Sequence, residues 1–485
     1  MKRLYICCVV ALLSISAMGA ADSIQTDIDT TVVTTSTDSI PAKKIKKGWN
    51  FGALPSVAYD ADLGFQGGAL ANVYYYGDGS QYPEYIHSFY VEAAYTTKRY
   101  GIFRFFYDSK YLIPNHRLSV DMSYLPDAMC DFYGFNGYQS VYNPSWHKWN
   151  KNVDKMDTTA YQSRAFYKYK RDLVRFAADI EGNISGNWKW NAGLGVLGYM
   201  LDECDINMLN GKKLQEGDHK WLNPEVQGLY EKYQNWGIIK QNEAHGGWHP
   251  YVRAGITYDS RNARSNPSKG IYADVFLTYS AGFNTKTYGN QAEYNNLKFN
   301  FDFRHYVPLY RDRVTLAYRI GTQNVIAGKS PFYMNTYQNV LFIQRVLYEA
   351  LGGGNSLRGV LRNRVLANGY AYANIELRTR VVNFDIKRQH FFIGLNPFFD
   401  LGIVTDPYKL NEEEITARIE AEGLNPADYF DFENKQAYLP HMSAGVGLKI
   451  GMNENFILSV DWAAAFDKRD SGKYTNFYIK MGFLF

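Results

Sequence analysis

Apolar and polar side chains alternate along most of this chain with a period of two, rather than the 3.6 of a helix. Near its end, every second residue is large and apolar, which places these side chains on one face of a β-strand. A soluble sandwich would expose such an edge strand to aggregation, whereas a membrane barrel needs an apolar face against lipid. We interpret the set as a lipid-facing strand and C-terminal assembly signal, comprising Phe477, Ile479, Met481, Phe483 and Phe485.

The same alternation recurs in about sixteen segments, and an even number is what a single-chain bacterial barrel requires. The predicted fold is therefore all-β, a transmembrane antiparallel β-barrel of about sixteen strands. The predicted strands are 49–59, 63–75, 84–97, 99–112, 115–125, 162–183, 187–200, 248–259, 269–283, 293–307, 313–325, 370–384, 389–405, 439–452, 455–467 and 475–485.

The connections between the predicted strands support this topology. The long ones follow the fifth, seventh, eleventh and thirteenth strands, so all lie at one end, as external loops do. Asn411, three following glutamates and Gly423 predict a short helix in the last long loop, and a second helix is predicted near 340–351. The long connections are 126–161, 201–247, 326–369 and 406–438.

The start of the chain predicts export. A basic pair, an apolar run and then small residues predict a secretory signal peptide over residues 1–21. Residues 22–48 are rich in Ser, Thr and Asp, and we expect a disordered periplasmic lead. Residues 49–485 then form the barrel, and the predicted location is the cell outer membrane.

Composition narrows the function classes. Aromatic residues make up 16% of the chain, with 41 tyrosines, while mean hydropathy is only −0.36, as alternating faces and aromatic girdles require. A net charge of +4 gives no electrostatic case for nucleic acid. No catalytic or metal-ligand motif is present, so we expect no enzyme activity, metal or cofactor. Whether Cys130 and Cys204 pair after export is left open by the sequence.

A glycine-rich segment precedes Arg358 and Gly359, and two later strands each carry one acid among apolar residues. These acids are Glu376 and Asp400. A carboxylate facing lipid is disfavoured, so both should face the lumen. Gly402, beside Asp400, leaves room for another segment to pack against the wall.

In this order, the segments 352–359, 374–378 and 398–402 resemble the bacterial surface antigen family. This family provides the barrel of the BamA- and TamA-type outer-membrane assembly and two-partner-secretion superfamily. The resemblance implies a sixteen-stranded barrel whose sixth external loop folds into the lumen. It also implies that Arg358 pairs with Asp400, with Glu376 close by.

The chain departs from the family in two ways. About 27 residues between the predicted cleavage site and Trp49 are too few for a POTRA domain, so a POTRA-less member is expected. The residue after Arg358-Gly359 is Val360, where the family usually has an aromatic.

Two function classes follow. One is a subunit in outer-membrane biogenesis or in protein or lipid translocation; the other is a passive or plugged pore, or a surface-binding barrel, without assembly activity. Expected partners are outer-membrane lipid, the barrel-assembly machinery during the chain's own insertion, and other outer-membrane proteins.

Overall fold

The computed structural model describes residues 45–485, apart from short gaps. The predicted signal peptide and residues 22–44 of the predicted lead lie outside the described residues, as does the predicted second helix except for its last two positions. No described helix is both long enough and apolar enough to cross a membrane. The gaps are 61, 83, 149–159, 212–213, 215, 217, 219–220, 264–265, 284–291, 312, 337–349, 387–388, 434, 453–455 and 472–474.

Seventeen antiparallel strand segments form one closed sheet in which each strand pairs with its neighbours in sequence. The twelfth and thirteenth segments form a single wall strand broken at 380–381, so the wall has sixteen strands and the predicted fold class is confirmed. The segments are β1 Trp49–Asp60, β2 Gly64–Tyr75, β3 His87–Thr96, β4 Gly101–Ile113, β5 His116–Asp131, β6 Lys168–Ser185, β7 Trp188–Asp202, β8 Gly246–Asp259, β9 Gly270–Ser280, β10 Asn296–Tyr310, β11 Val314–Gly328, β12 Gly369–Thr379, β13 Val382–Ile386, β14 Gln389–Asp406, β15 His441–Met452, β16 Phe456–Ala465 and β17 Asn476–Met481.

The two faces of the wall have opposite chemistry. On β8, Val252 and Ile256 are exposed on the outside, whereas Arg253 is buried on the inside. Lumen-facing charges are paired with one another across strands, as where Asp121 accepts from Arg104 at 2.6 Å. An apolar outside and a polar inside is the arrangement of a barrel surrounded by lipid.

Two predicted boundaries differ from the observed strands by six residues. The strand predicted over 115–125 continues to Asp131, and the one predicted over 162–183 begins only at Lys168. β5 and β6 pair as far as Asp131 and Lys168, whose side chains also form an ion pair. Polar residues that the sequence predicted to lie in a loop therefore belong to the strands of the wall.

Three helices lie in the described parts of the long loops: α1 Ile206–Asn210, α2 Leu229–Asn235 and α3 Glu412–Ala421. The last is the predicted one. The side chain of Asn411 accepts from the Glu414 N–H at its start, at 3.5 Å, and Gly423 has a positive φ of 73° just after its end. A buried 3-10 turn, Phe332–Thr336, follows β11.

The long loops pack on one another above one end of the wall, and we call this core the loop dome. The ring of Phe132 lies 5.2 Å from that of Tyr233, and Trp236 lies 4.9 Å from Tyr429. Loops that are far apart in sequence therefore share one aromatic core at this end of the barrel. The dome comprises Phe132, Phe135, Trp146, Phe166, Tyr230, Tyr233, Trp236, Phe332, Ile415, Ile419, Tyr429 and Phe430.

Candidate functional site: the inner loop and the seam

The segment 350–368, which we call the inner loop, folds into the lumen between β11 and β12. Leu351 and Val365 form an isolated bridge at its base and are both fully buried. Gly352, with a φ of 120°, lies where an added Cβ would collide with the Leu361 carbonyl oxygen. The glycine-rich sequence is thus needed for a turn that side chains would block.

Arg358 lies inside the wall with no solvent exposure. Its Nε and Nη2 donate to the two carboxylate oxygens of Asp400, both at 2.9 Å, and its Nη1 donates to Glu376 Oε1 at 2.7 Å. The backbone N–H of Arg358 also donates to Asp400, at 3.1 Å. The structure therefore brings together the three residues that the sequence analysis singled out, in a two-pronged arrangement that specifies geometry.

The neighbours of Arg358 complete its packing. The ring of Phe398 lies 3.4 Å from the guanidinium carbon. A Cβ added to Gly402 would lie 2.5 Å from one methyl of Leu357 and 3.0 Å from one of Leu351, so the inner loop occupies the space that Gly402 leaves. A Cβ on Gly359 would lie 3.1 Å from the backbone of Ala464. Both glycines permit close approach of loop and wall.

The inner loop is also bound to the lumen face of β17. Tyr478 accepts from the Gly359 N–H at 3.1 Å, Asn476 donates to the Gly359 carbonyl at 2.8 Å, and Lys480 donates to the Gly354 carbonyl at 2.6 Å. Contacts of Asn476, Tyr478 and Lys480 were not predicted from the sequence. These three residues alternate with the apolar residues of the same strand. Their position on the opposite, lumen-facing side of the strand could therefore have been predicted from the same pattern.

We call the junction of β1 and β17 the seam. Among the described residues, ladder pairing there is confined to Tyr59 with Ile479 and Asp60 with Tyr478. By contrast, β1 pairs with β2 along its whole length, from Trp49 to Asp60. The wall is therefore held by far fewer backbone bonds at the seam than at the other edge of the same strand.

The final residues leave the wall and turn inward. β17 ends at Met481, and Gly482 follows with a φ of 78°. Phe483 is buried against Phe392 and Ile457 instead of facing lipid. The expectation that Phe483 and Phe485 continue the outer face was therefore wrong, because a left-handed glycine reverses the alternation.

The first three apolar residues of the predicted set remain in β17 and point away from the lumen. These are Phe477, Ile479 and Met481, of which Met481 is exposed.

The carboxylate of Glu376 connects the inner loop with residues 483–485. Glu376 accepts from Arg358 through Oε1 and from Arg378 Nε through Oε2, at 3.0 Å. Arg378 lies 4.0 Å from the ring of Phe483 and donates to the main-chain oxygen of Phe485 at 2.7 Å. Arg378 was noted in the sequence only as part of a motif, and its contacts depend on the inward turn.

Comparison with known proteins gives the family. A model of the Omp85 superfamily domain matches residues 87–485. The chain belongs to the Omp85 superfamily. It is thus an outer-membrane β-barrel of a superfamily that acts in outer-membrane assembly and translocation. No curated protein matches this sequence.

Two solved structures share the fold of this Omp85 barrel. BamA from Haemophilus ducreyi, in a form lacking POTRA domains 1–3, is 16% identical with a TM-score of 0.50, over 90% of this chain and 70% of that one. CdiB from Escherichia coli is 10% identical with a TM-score of 0.51, over 92% of this chain and 64% of that one. This chain thus spans less than two thirds of the CdiB chain, and identities this low show the fold alone.

In this Omp85 barrel the inner loop also reaches the loop dome. Arg364 donates to the carbonyls of Gly137 at 2.8 Å, Ser140 at 3.0 Å and Arg469 at 3.0 Å. Its side chain is fully buried, so all of its polar groups are directed at protein. Arg364, which the sequence analysis did not single out, therefore joins the inner loop to two external loops.

A second buried cluster lies beside Arg364. Asp470 accepts from the Tyr138 hydroxyl at 2.6 Å and contacts His441 Nδ1 at 2.7 Å. Burial, together with the Asp470 carboxylate, raises the pKa of Tyr138, so this hydroxyl keeps its proton and remains a donor. The dome is thereby fixed above the seam side of the barrel.

Cys130 and Cys204 are both free thiols. Among the described residues, no group of three or more His, Cys, Asp or Glu side chains is arranged to hold a metal ion.

Proposed function

We propose that this Omp85 barrel is a subunit of outer-membrane biogenesis, or of protein or lipid translocation, and that it works by opening the wall at the seam. The observation that carries the proposal is the short pairing of β1 with β17, at Tyr59–Ile479 and Asp60–Tyr478. Opening there breaks few backbone hydrogen bonds. It leaves β1 with an unpaired edge to which an incoming strand can add.

The inner loop decides which strand moves. It is bound to β17 by Asn476, Tyr478 and Lys480, and to the adjoining wall through Arg358. We assign Arg358, Gly359, Glu376, Asp400 and Gly402 to a lock that keeps the inner loop, and β17 with it, in place. β1 then separates from a fixed partner.

The apolar residues of the last strand have a separate proposed role. Phe477, Ile479 and Met481, followed by Phe483 and Phe485, form the C-terminal assembly signal that the barrel-assembly machinery reads when this chain is itself inserted. Outer-membrane lipid and other outer-membrane proteins are the further partners we propose.

A disulfide across the seam tests this function. Tyr59→Cys with Ile479→Cys places two thiols at directly opposed positions of an antiparallel pair, where the spacing suits a disulfide. The matched control is Ala53→Cys with Ala71→Cys, which joins β1 to β2 instead. Both are made in a background lacking Cys130 and Cys204.

In cells depleted of the natural protein, we expect the oxidised seam variant to leave the envelope defective, and reduction to restore it. The control should restore the envelope in both states. If the oxidised seam variant restores the envelope as well as the control does, seam opening is not the mechanism.

The loop dome favours a second candidate, a plugged pore or surface-binding barrel. Aromatic side chains from several long loops pack together at the external end, such as Trp146 and Tyr429 at 5.0 Å, and this packing supports a plug. For this candidate, depletion leaves the envelope normal and the seam disulfide has no effect.

A further inference from the structure

Charge is distributed unevenly over the short-turn end of the wall, where Lys47 lies beside the connection after β2 and the connection after β8 contains Arg261 and Lys269. The turns after β4 and β6 contain no charged residue, and the connection after β2 contains only acidic ones. By contrast, the turn after β10 contains Arg311 and Arg313 with Asp312 between them, and Arg380 lies at the break between β12 and β13. We call these three arginines the basic rim.

The basic rim is compact. The N–H of Arg380 donates to the carbonyl of Arg313 at 2.8 Å, so the two turns adjoin. Arg311 and Arg313 are both exposed. This differs from the lumen, where the guanidinium of Arg253, for example, is buried and paired with Asp179.

The outer surface next to the basic rim is apolar. Leu309, Tyr310, Val381 and Val382 are between 48% and 56% exposed on the turn-proximal part of the wall. The Tyr310 ring lies 5.6 Å from the Arg311 guanidinium, so apolar and cationic surface are contiguous. A phospholipid matches this surface, since its acyl chains are apolar and adjoin a negatively charged phosphate.

We propose that the basic rim is a binding site for an anionic phospholipid of the inner leaflet. Short turns face the periplasm in such barrels, so the rim lies at the level of the inner-leaflet headgroups. Arg311 and Arg313 bind the phosphate, to which a guanidinium can donate two parallel hydrogen bonds. The acyl chains lie along Leu309 and Val381. An acidic protein segment would match the charge but would leave this apolar surface without a partner.

The test compares lipid retention by two charge-matched variants. Arg311→Gln with Arg313→Gln removes two charges from the rim, and Lys329→Gln with Lys409→Gln removes two exposed charges from the opposite end. Each protein is placed in nanodiscs of phosphatidylethanolamine with or without phosphatidylglycerol. Co-released lipid is then identified by native mass spectrometry. Since one cation near the membrane surface changes affinity roughly five-fold, the rim variant should lose about 30-fold in phosphatidylglycerol affinity.

The wild type and the control variant should retain phosphatidylglycerol in preference to phosphatidylethanolamine. Equal retention by both variants, or no preference between the lipids, would overturn the proposal. Arg311→Lys with Arg313→Lys keeps the charge and should keep most of the binding, which separates lost binding from lost folding. Free inorganic phosphate should not displace the lipid. If it does, the site recognises the phosphate group alone and the lipid assignment is wrong. No assembly assay is involved, so this result is independent of the seam experiment.

Discussion

Replacing Arg358 by Ala should release the inner loop and destabilise the barrel by about 3–5 kcal/mol, the range for removing one partner of a buried ion pair. The side chain makes three charged hydrogen bonds, to Asp400 and Glu376, at 2.7–2.9 Å. Each such bond contributes about 1.5–3 kcal/mol, so three give about 4.5–9 kcal/mol, which begins near the top of the expected loss and extends above it. We use the smaller figure because water can enter the lumen once the loop withdraws and can solvate the carboxylates.

Two measurements check this result. Urea unfolding in lipid vesicles, followed by tryptophan fluorescence, gives the change in the free energy of unfolding. Trypsin provides the local readout, because Arg362 and Arg364 are buried in the docked loop and become cleavable only when it leaves the lumen. We expect fragments ending at these arginines from the variant and none from the wild type.

Arg418→Ala is the matched control, since Arg418 pairs with Glu414 at 2.6 Å but both side chains are about half exposed. Exposed pairs of this kind contribute little, so this variant should behave like the wild type. Arg358→Lys keeps the charge but loses the planar fork, and should fall between wild type and Arg358→Ala. In a cycle with Asp400→Asn, the two residues should show a coupling of about 1–3 kcal/mol. A loss below about 1 kcal/mol with a protease-resistant loop would refute the assignment of Arg358 as the residue that holds the inner loop.

Three further outcomes are expected. Gly402→Val should displace Leu357 and lower the free energy of unfolding in urea by about 1–3 kcal/mol. Gly52→Val should leave it unchanged, because an added Cβ there meets nothing within 4 Å. Equal effects of the two substitutions would contradict the packing argument. Arg364→Ala should raise conductance in planar bilayers by freeing three loop carbonyls, and an unchanged conductance would show that the dome does not close the barrel. Cys204 is partly buried, and this desolvation raises the pKa of its thiol to about 12. Alkylation at pH 8–9 should therefore be slow in the folded barrel and fast after unfolding, as mass spectrometry can show; rapid labelling of the folded protein would contradict the raised pKa.

The wall was predictable from sequence because strand alternation is a local property. The order of the strands and the side of the long loops follow from it. The meeting of Arg358 with Asp400 and Glu376 was implied by a family resemblance, and not by spacing alone. Strand phase correctly placed both carboxylates on the lumen side, but it could not show which cation they meet.

The remaining features depend on contacts between distant segments. The turn at Gly482 could not be read because a glycine inside an alternating run is also compatible with a continuous strand. The aromatic residues of the long loops suggested girdles and loop surfaces, whereas many of them form the dome. Arg364 and Lys480 are ordinary polar residues in their local sequence, and their roles appear only when the inner loop is placed beside the seam.

The loop dome has a consequence for the order in which this barrel is completed. Its core joins Phe132, Tyr233, Phe332 and Phe430, which are each about a hundred residues apart in the chain. Such contacts require large loops to close, so they form late, after the strands that carry them have come together. Until then, the aromatic residues of the dome are exposed to water, and an incomplete barrel is prone to aggregation. Burial of the dome's aromatic core therefore indicates a complete barrel, because this core is covered only in a molecule whose wall is already in place.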